Sequence, residues 1–295
     1  MKQKYTDGEV ISPGTVIISA AGNCNEITKV VEPLLQIDGG NIYYINISQD
    51  DFKLGGSSFN QTLNTIGNEA PDVKNTAFVK ETFNTIQNLI QKDAITAGHD
   101  IASGGLITTL LEMCFADVNL GANFDISSLN EEDTIKVLFG ENSGIVFQAD
   151  ASVEAVLSAQ NIEFFTIGTA NNSGIVSIKN KEDFISIEVS EMRDVWYRTS
   201  FLLDQKQTAN NLAQDRFDNY KKQPLTYQFP TNFSGKLPKN TNTSKTSRPK
   251  AAIIREKGSN SEREMANAMY LAGFDVKDVH MTDLISGRET LEDIQ

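Results

Sequence analysis

Sulfur and imidazole are scarce in this chain. It has two cysteines, Cys24 and Cys114, and two histidines in 295 residues. Two thiols so far apart make neither a disulfide framework nor a zinc site, and a reducing cytoplasm is the simplest compartment. Long apolar runs are missing too. None approaches the ~20 residues a bilayer-spanning helix needs, and the start, Met1 to Asp7, lacks the apolar stretch of a signal peptide. No membrane partner is expected. Positive charge is also in short supply, with 26 Lys and Arg against 39 Asp and Glu and a net charge of −13. Binding a phosphate backbone needs a basic face, so no nucleic-acid partner is expected either. The acidic balance otherwise reads as solubility. A local phosphate site is still allowed, because backbone dipoles alone can build one.

What is present is a globular composition, 39% hydrophobic, and a length that suits one large domain or two ordinary ones. β-Branched and aromatic runs predict strands at 15–20, 41–47, 124–126, 143–148, 164–168, 175–178 and 184–189. Helical spacing predicts a helix at 25–32 that Pro33 ends. It also predicts a short helix bearing Phe59, Leu63 and Ile66, and a long one over 76–95 bearing Val79, Phe83, Ile86, Leu89 and Ile90. Leu106 to Phe115 reads as a buried helix, with Cys114 in the core. Ala151 to Gln160 and Glu191 to Tyr220 read as helices, the second long and polar. Four of the seven prolines fall within 223–250, which marks a linker. Beyond it, 251–255 and 275–280 read as strands around a helix over 261–272. Ser261 is its expected N-cap and Gly273 its terminator. One β-α-β unit is the opening of a doubly wound sheet. Its ~46 residues cannot complete such a domain, so most of its core is expected to be missing. A strand follows at once on a short polar start, and the chain stops in what reads as a helix turn, so both ends read as cut.

The stretch richest in chemistry is Gly98-His99-Asp100-Ile101-Ala102-Ser103-Gly104-Gly105-Leu106. Lying between two predicted helices, it reads as a buried turn. Glycine lets backbone N–H groups approach an anion, and Asp is a hard oxygen ligand for Mg²⁺. Asp100, Gly104 and Gly105 are therefore candidate nucleotide contacts and Asp100 a candidate metal ligand, although from the residues alone a carboxylate there is more often a turn or helix cap. His99 reads as a packed, hydrogen-bonded histidine rather than an acid or base, with no base partner near it in sequence. Gly55-Gly56-Ser57 is either an anion nest or a tight turn with a capping Ser. Glu141 and Asn142 either line a polar cleft or form an exposed turn. Lys257, Ser259 and Asn260 follow a strand at the crevice end of an α/β sheet, or form an ordinary loop.

These residues resemble large, single-chain phosphoribosylformylglycinamidine synthase. The resemblance is carried by 98–106 with Leu110 to Ala116, by Lys53 to Ser57, by Leu138 to Ile145 and by Met192 to Tyr197. Ala251 to Ala266, Ala272 to Val276 and Val279 to Leu284 are similar to the start of that family's glutamine amidotransferase domain. Two domains thus agree in order over nearly the whole chain. The resemblance implies an α+β synthetase C-terminal-type domain, like aminoimidazole ribonucleotide synthetase, followed by the truncated start of an α/β class I amidotransferase domain. It divides the chain into 1–13, the tail of a preceding domain; 14–190; a connecting helix, 191–222; a linker, 223–249; and 250–295.

The implied activity is carbon–nitrogen ligation in purine synthesis: formylglycinamide ribonucleotide, ATP and glutamine give formylglycinamidine ribonucleotide. The implied cofactors are ATP or ADP and Mg²⁺. Asp100 matches a Mg²⁺-ligating Asp of an auxiliary nucleotide site. Ala102 stands where the family usually has a nucleotide-contacting Ser, which removes a hydroxyl. The glutaminase nucleophile, its His and its Glu would lie beyond Gln295, so no catalytic residue is expected here; Cys24, Cys114 and His280 do not replace them. The alternative is a non-catalytic scaffold module that holds a structural Mg-nucleotide.

Overall fold

The computed structural model describes residues 2–11, 18–22, 26–222, 228–232 and 248–294. They divide into two units, Met1–Lys221 and Lys222–Gln295.

The first unit opens with a hairpin of β1 (Lys2–Tyr5) and β2 (Gly8–Ile11). Its body is then β3 (Asn41–Asn46), α1 (Ser58–Thr62), α2 (Thr76–Gln91), β4 (Ile95–Asp100), α3 (Gly105–Glu112) and β5 (Gly121–Asp125). α4 (Thr134–Phe139), β6 (Gly144–Ala149), α5 (Val153–Ala159), β7 (Phe165–Asn171), β8 (Ile175–Asn180) and β9 (Asp183–Glu188) follow. The seven strands from β3 to β9 form one sheet in the order β4-β6-β3-β7-β5-β8-β9. Every pairing is antiparallel except β5 with β8. Strand period decides the two faces. Tyr43, Ile45 and Phe147 point to one, where Ile86 and Leu89 of α2 and Val153 and Leu157 of α5 cover them. Ile42, Tyr44 and Val146 point to the other, under Leu106, Leu110 and Leu111 of α3 and Val137 and Leu138 of α4. This is the expected α+β layering.

Several elements depart from what the sequence predicts. The helix over 76–95 stops at Gln91, because Asp93 takes a left-handed conformation (φ 54°) and Ile95 enters a strand. Asn75 caps its start by accepting from the N–H groups of Ala77 and Phe78, both at 3.1 Å. Its buried side is Thr82, Thr85, Ile86 and Leu89, while Phe83 is 63% exposed. Leu63 and Ile66 are exposed, and of that trio Phe59 alone meets an aromatic, Phe139 at 4.7 Å. The helix over 25–32 reduces to a 3₁₀ turn, Ile27–Lys29. Residues 18–20 form no strand; 15–17, Cys24 and most of 223–249 lie outside the described residues. The helix over 191–220 is two: α6 (Val189–Gln207) and α7 (Leu212–Asn219). Asn210 (φ 57°) breaks it, and the fold-back brings Tyr197 onto Tyr220 with ring centroids at 4.2 Å.

Cys114, in the turn just after α3, is fully buried, and burial pushes its thiol up to about 12. A thiol held that high carries almost no thiolate near neutral pH. In a Cys24→Ser chain we expect an aromatic disulfide reagent to label nothing until denaturant unfolds the unit. Fast labelling of the folded chain would contradict this.

The second unit is β10 (Lys250–Arg255), α8 (Glu262–Leu271), β11 (Asp275–His280) and α9 (Met281–Ile285). β10 and β11 pair in parallel from Lys250↔Asp275 to Arg255↔His280, so the β-α-β unit forms as expected. Gly273 (φ 102°) follows the helix end. Ser261 precedes the helix, but with φ 68° its side chain makes no capping bond.

Candidate functional site

The segment 98–106 is not a turn between helices. Gly98, His99 and Asp100 end β4, paired with Phe147, Val146 and Ile145 of β6. The ladder continues as Ile101 N–H donates to Gly144 O at 2.9 Å. Thr109 Oγ1 of α3 donates to Asp100 O at 2.9 Å, which ties the strand end to the helix that follows. The Asp100 carboxylate itself is 78% exposed, with His99 Nδ1 at 3.4 Å.

The glycine pair has a packing reason. Gly104 and Gly105 both have positive φ, 95° and 73°. A Cβ on Gly105 would stand 2.7 Å from Leu138 O, 2.8 Å from Phe139 C and 2.9 Å from Gly140 O. The backbone amides expected to face a phosphate are already used. Gly105 N–H donates to Ala102 O at 3.1 Å. Gly104 N–H donates to Glu141 Oε1 at 2.8 Å, and the same oxygen accepts from Ser58 N–H at 2.8 Å. Glu141 is thus neither a cleft wall nor an exposed turn. Its neighbour Asn142 is buried and donates to Asp51 O, Ser48 Oγ and Asp50 O at 3.0–3.3 Å. Ser57 Oγ donates to Leu54 O at 2.7 Å and accepts from Asn60 N–H, so Gly55-Gly56-Ser57 is a tight capped turn.

His99 does have an acidic partner. Its Nε2 lies 3.2 Å from Glu112 Oε2, and its Nδ1 is 2.7 Å from Asp100 O. Glu112 Oε1 accepts from Trp196 Nε1 at 2.8 Å, and Trp196 packs on Phe115 at 5.6 Å. The one sequence signal was an acid inside the otherwise apolar run 110–115. In the second unit, Ser259 Oγ accepts from Glu256 N–H and Asn260 Oδ1 from Ser261 N–H, each at 2.8 Å. With Lys257 they form an exposed loop after β10. His280 Nδ1 caps α9 through Thr282 N–H.

A cavity of about 540 Å³ lies apart from Asp100, lined by Tyr44, Phe52, Phe165, Asp50, Lys74 and Glu163 among others. Asp50 is its hub: the carboxylate accepts from Lys53 Nζ at 2.8 Å and from Asp72 N–H at 2.9 Å, and Lys74 Nζ is 3.4 Å away. The Lys53 contact holds its carboxyl at about 2, below the usual 3.8. A lowered folded value means that stability is gained above the unfolded value and lost as pH falls from near 4 toward 2. We expect Asp50→Asn to cost about 2 kcal/mol at neutral pH. Urea midpoints against pH should show the gap to wild type closing in acid.

Residues 45–180 match the family model for AIR synthase related protein, C-terminal domain, and 248–295 match that for a CobB/CobQ-like glutamine amidotransferase domain. The Arabidopsis thaliana chain named "Probable phosphoribosylformylglycinamidine synthase, chloroplastic/mitochondrial" is 36% identical over 98% of this chain and 21% of its own length. The Homo sapiens phosphoribosylformylglycinamidine synthase is 33% identical over 94% of this chain and 21% of its own. The chain is homologous to a stretch of phosphoribosylformylglycinamidine synthase. It spans about a fifth of the length of these synthase relatives. The resemblance read from the residues, and the two fold types in their order, are borne out. Thermotoga maritima PurL complexed with ATP superposes at 13% identity and a TM-score of 0.43, over 57% of this chain and 28% of that one. No helix among the described residues is long and apolar enough to cross a membrane.

The donor set bears on the expected Mg²⁺. Among the described residues no three His, Cys, Asp or Glu groups gather to hold a metal. A lone exposed carboxylate cannot make an all-protein metal cage. It does suit one ligand position of a Mg²⁺ whose remaining ligands are nucleotide phosphates, water or groups from elsewhere.

Proposed function

We propose that this chain is a segment of the ATP- and glutamine-dependent ligase that converts formylglycinamide ribonucleotide to formylglycinamidine ribonucleotide in purine synthesis, acting in the cytoplasm. Residues 14–190 belong to its synthetase part and 250–295 to the start of its glutaminase part. One observation carries the reading: two unlike domains match in the same order, and relatives with that printed name align over nearly the whole chain. The amidotransferase match supports glutamine as the ammonia source. The test uses the product of the gene that carries these residues. ADP release that requires both formylglycinamide ribonucleotide and glutamine supports the reading, and ATP turnover indifferent to both overturns it.

Within that enzyme the role proposed for residues 45–180 is non-catalytic. Asp100 offers one carboxylate to the Mg²⁺ of a bound nucleotide, ATP or ADP, and that ion's contribution is to neutralise phosphate charge. Gly104 and Gly105 contribute by shape, setting the turn that starts α3 beside Asp100. Ala102 supplies no hydroxyl. Asp100 is exposed, so its carboxylate is free to reach such an ion. We expect calorimetric titration with Mg-ADP to show Asp100→Ala binding at least about tenfold more weakly, the loss of one charge-assisted contact. Equal binding would remove Asp100 from the site.

A further inference from the structure

Two glycine-bearing turns, distant in sequence, aim backbone N–H groups at one point: Ser58 at the head of α1 and Gly104 at the head of α3. Convergent amides of this kind form an anion cradle. Here the cradle is filled from within, since Glu141 Oε1 accepts from both at 2.8 Å. A carboxylate is the right chemistry for the place. It makes charge-assisted bonds to both donors, and its charge repels a second anion. Its own position is set from both sides. Gly140, just before it, accepts no side chain, because a Cβ there would stand 2.6 Å from Lys136 O. Asn142, just after it, is buried and bonded to the backbone of Asp50 and Asp51.

We infer that Glu141 is the resident anion of this cradle, a specificity-determining residue that pins the turn beside Asp100 to the turn at 54–58 and keeps phosphate away from the glycine pair. This goes beyond the nucleotide reading and does not rest on it. Phosphates of any nucleotide bound at Asp100 then lie outside the cradle.

The test is chemical rescue on the chain itself, with no nucleotide present. Glu141→Ala leaves two amides without an acceptor. We expect its melting temperature to fall by about 5 °C. Millimolar inorganic phosphate or acetate should then restore it in part, relative to chloride at equal ionic strength. Wild type should show no response beyond chloride. Equal responses in wild type and variant would overturn the inference. Should the alanine variant fail to fold, Glu141→Gln decides. Its amide oxygen still accepts but carries no charge, so the chain should fold with faster amide exchange at Ser58 and Gly104. Unchanged exchange at both would overturn the inference.

Discussion

Gly105→Ala is expected to be among the most damaging single substitutions in the first unit, costing about 3–5 kcal/mol. Two effects combine. The residue sits at φ 73°, where an L side chain is strained. Its new methyl group would also enter the backbone at the end of α4, 2.7 Å from Leu138 O and 2.9 Å from Gly140 O. These neighbours are main-chain atoms, so no rotamer change relieves the overlap. Either α3 shifts off the sheet or α4 does, and the Glu141 clamp lies between them. Equilibrium urea unfolding should show a midpoint far below wild type with an unchanged slope. A loss under about 1 kcal/mol would mean that the turn has slack, and the packing account of the glycine pair would fail.

Phe147→Ala is the second large effect, about 3–5 kcal/mol. Phe147 lies in β6, flanked by β3 and β4, and has no exposed surface. Its ring stacks on Tyr43 at 5.3 Å and faces the layer made by α2 and α5. Strands on both sides hold the backbone, so the hole cannot collapse, and the cavity cost adds to the lost transfer energy. Truncating Phe184, 69% exposed on β9, is the control and should cost little. Comparable losses at the two positions would contradict the assignment of the core.

The elements legible in sequence were those whose own residues decide them. Asn41–Asn46 carries an unbroken run of β-branched and aromatic side chains from Ile42 to Ile45. The β-α-β of the second unit carries strands, a helix and Gly273 in their usual places, and its parallel pairing follows from the single crossover. Ile95–Asp100 was illegible because its small residues, Ala97 and Gly98, carry no strand signal. They become a strand by pairing with β6, which is nearly fifty positions away in the chain. The break between α6 and α7 is similar, since what rewards it is the stacking of Tyr197 on Tyr220.

The candidate site divides the same way. Asp100 and the glycine pair stood out as residue types, and their spacing suggested an anion. That the anion is a carboxylate of the same chain could not be read, because three loops must meet before Glu141 reaches Ser58 and Gly104. The linear order of residues determined the two domain types, their succession and their kinship, since local periodicity and short motifs carry that information. Tertiary structure alone decided which polar groups meet, because hydrogen bonds depend on distances between segments that sequence separation does not encode.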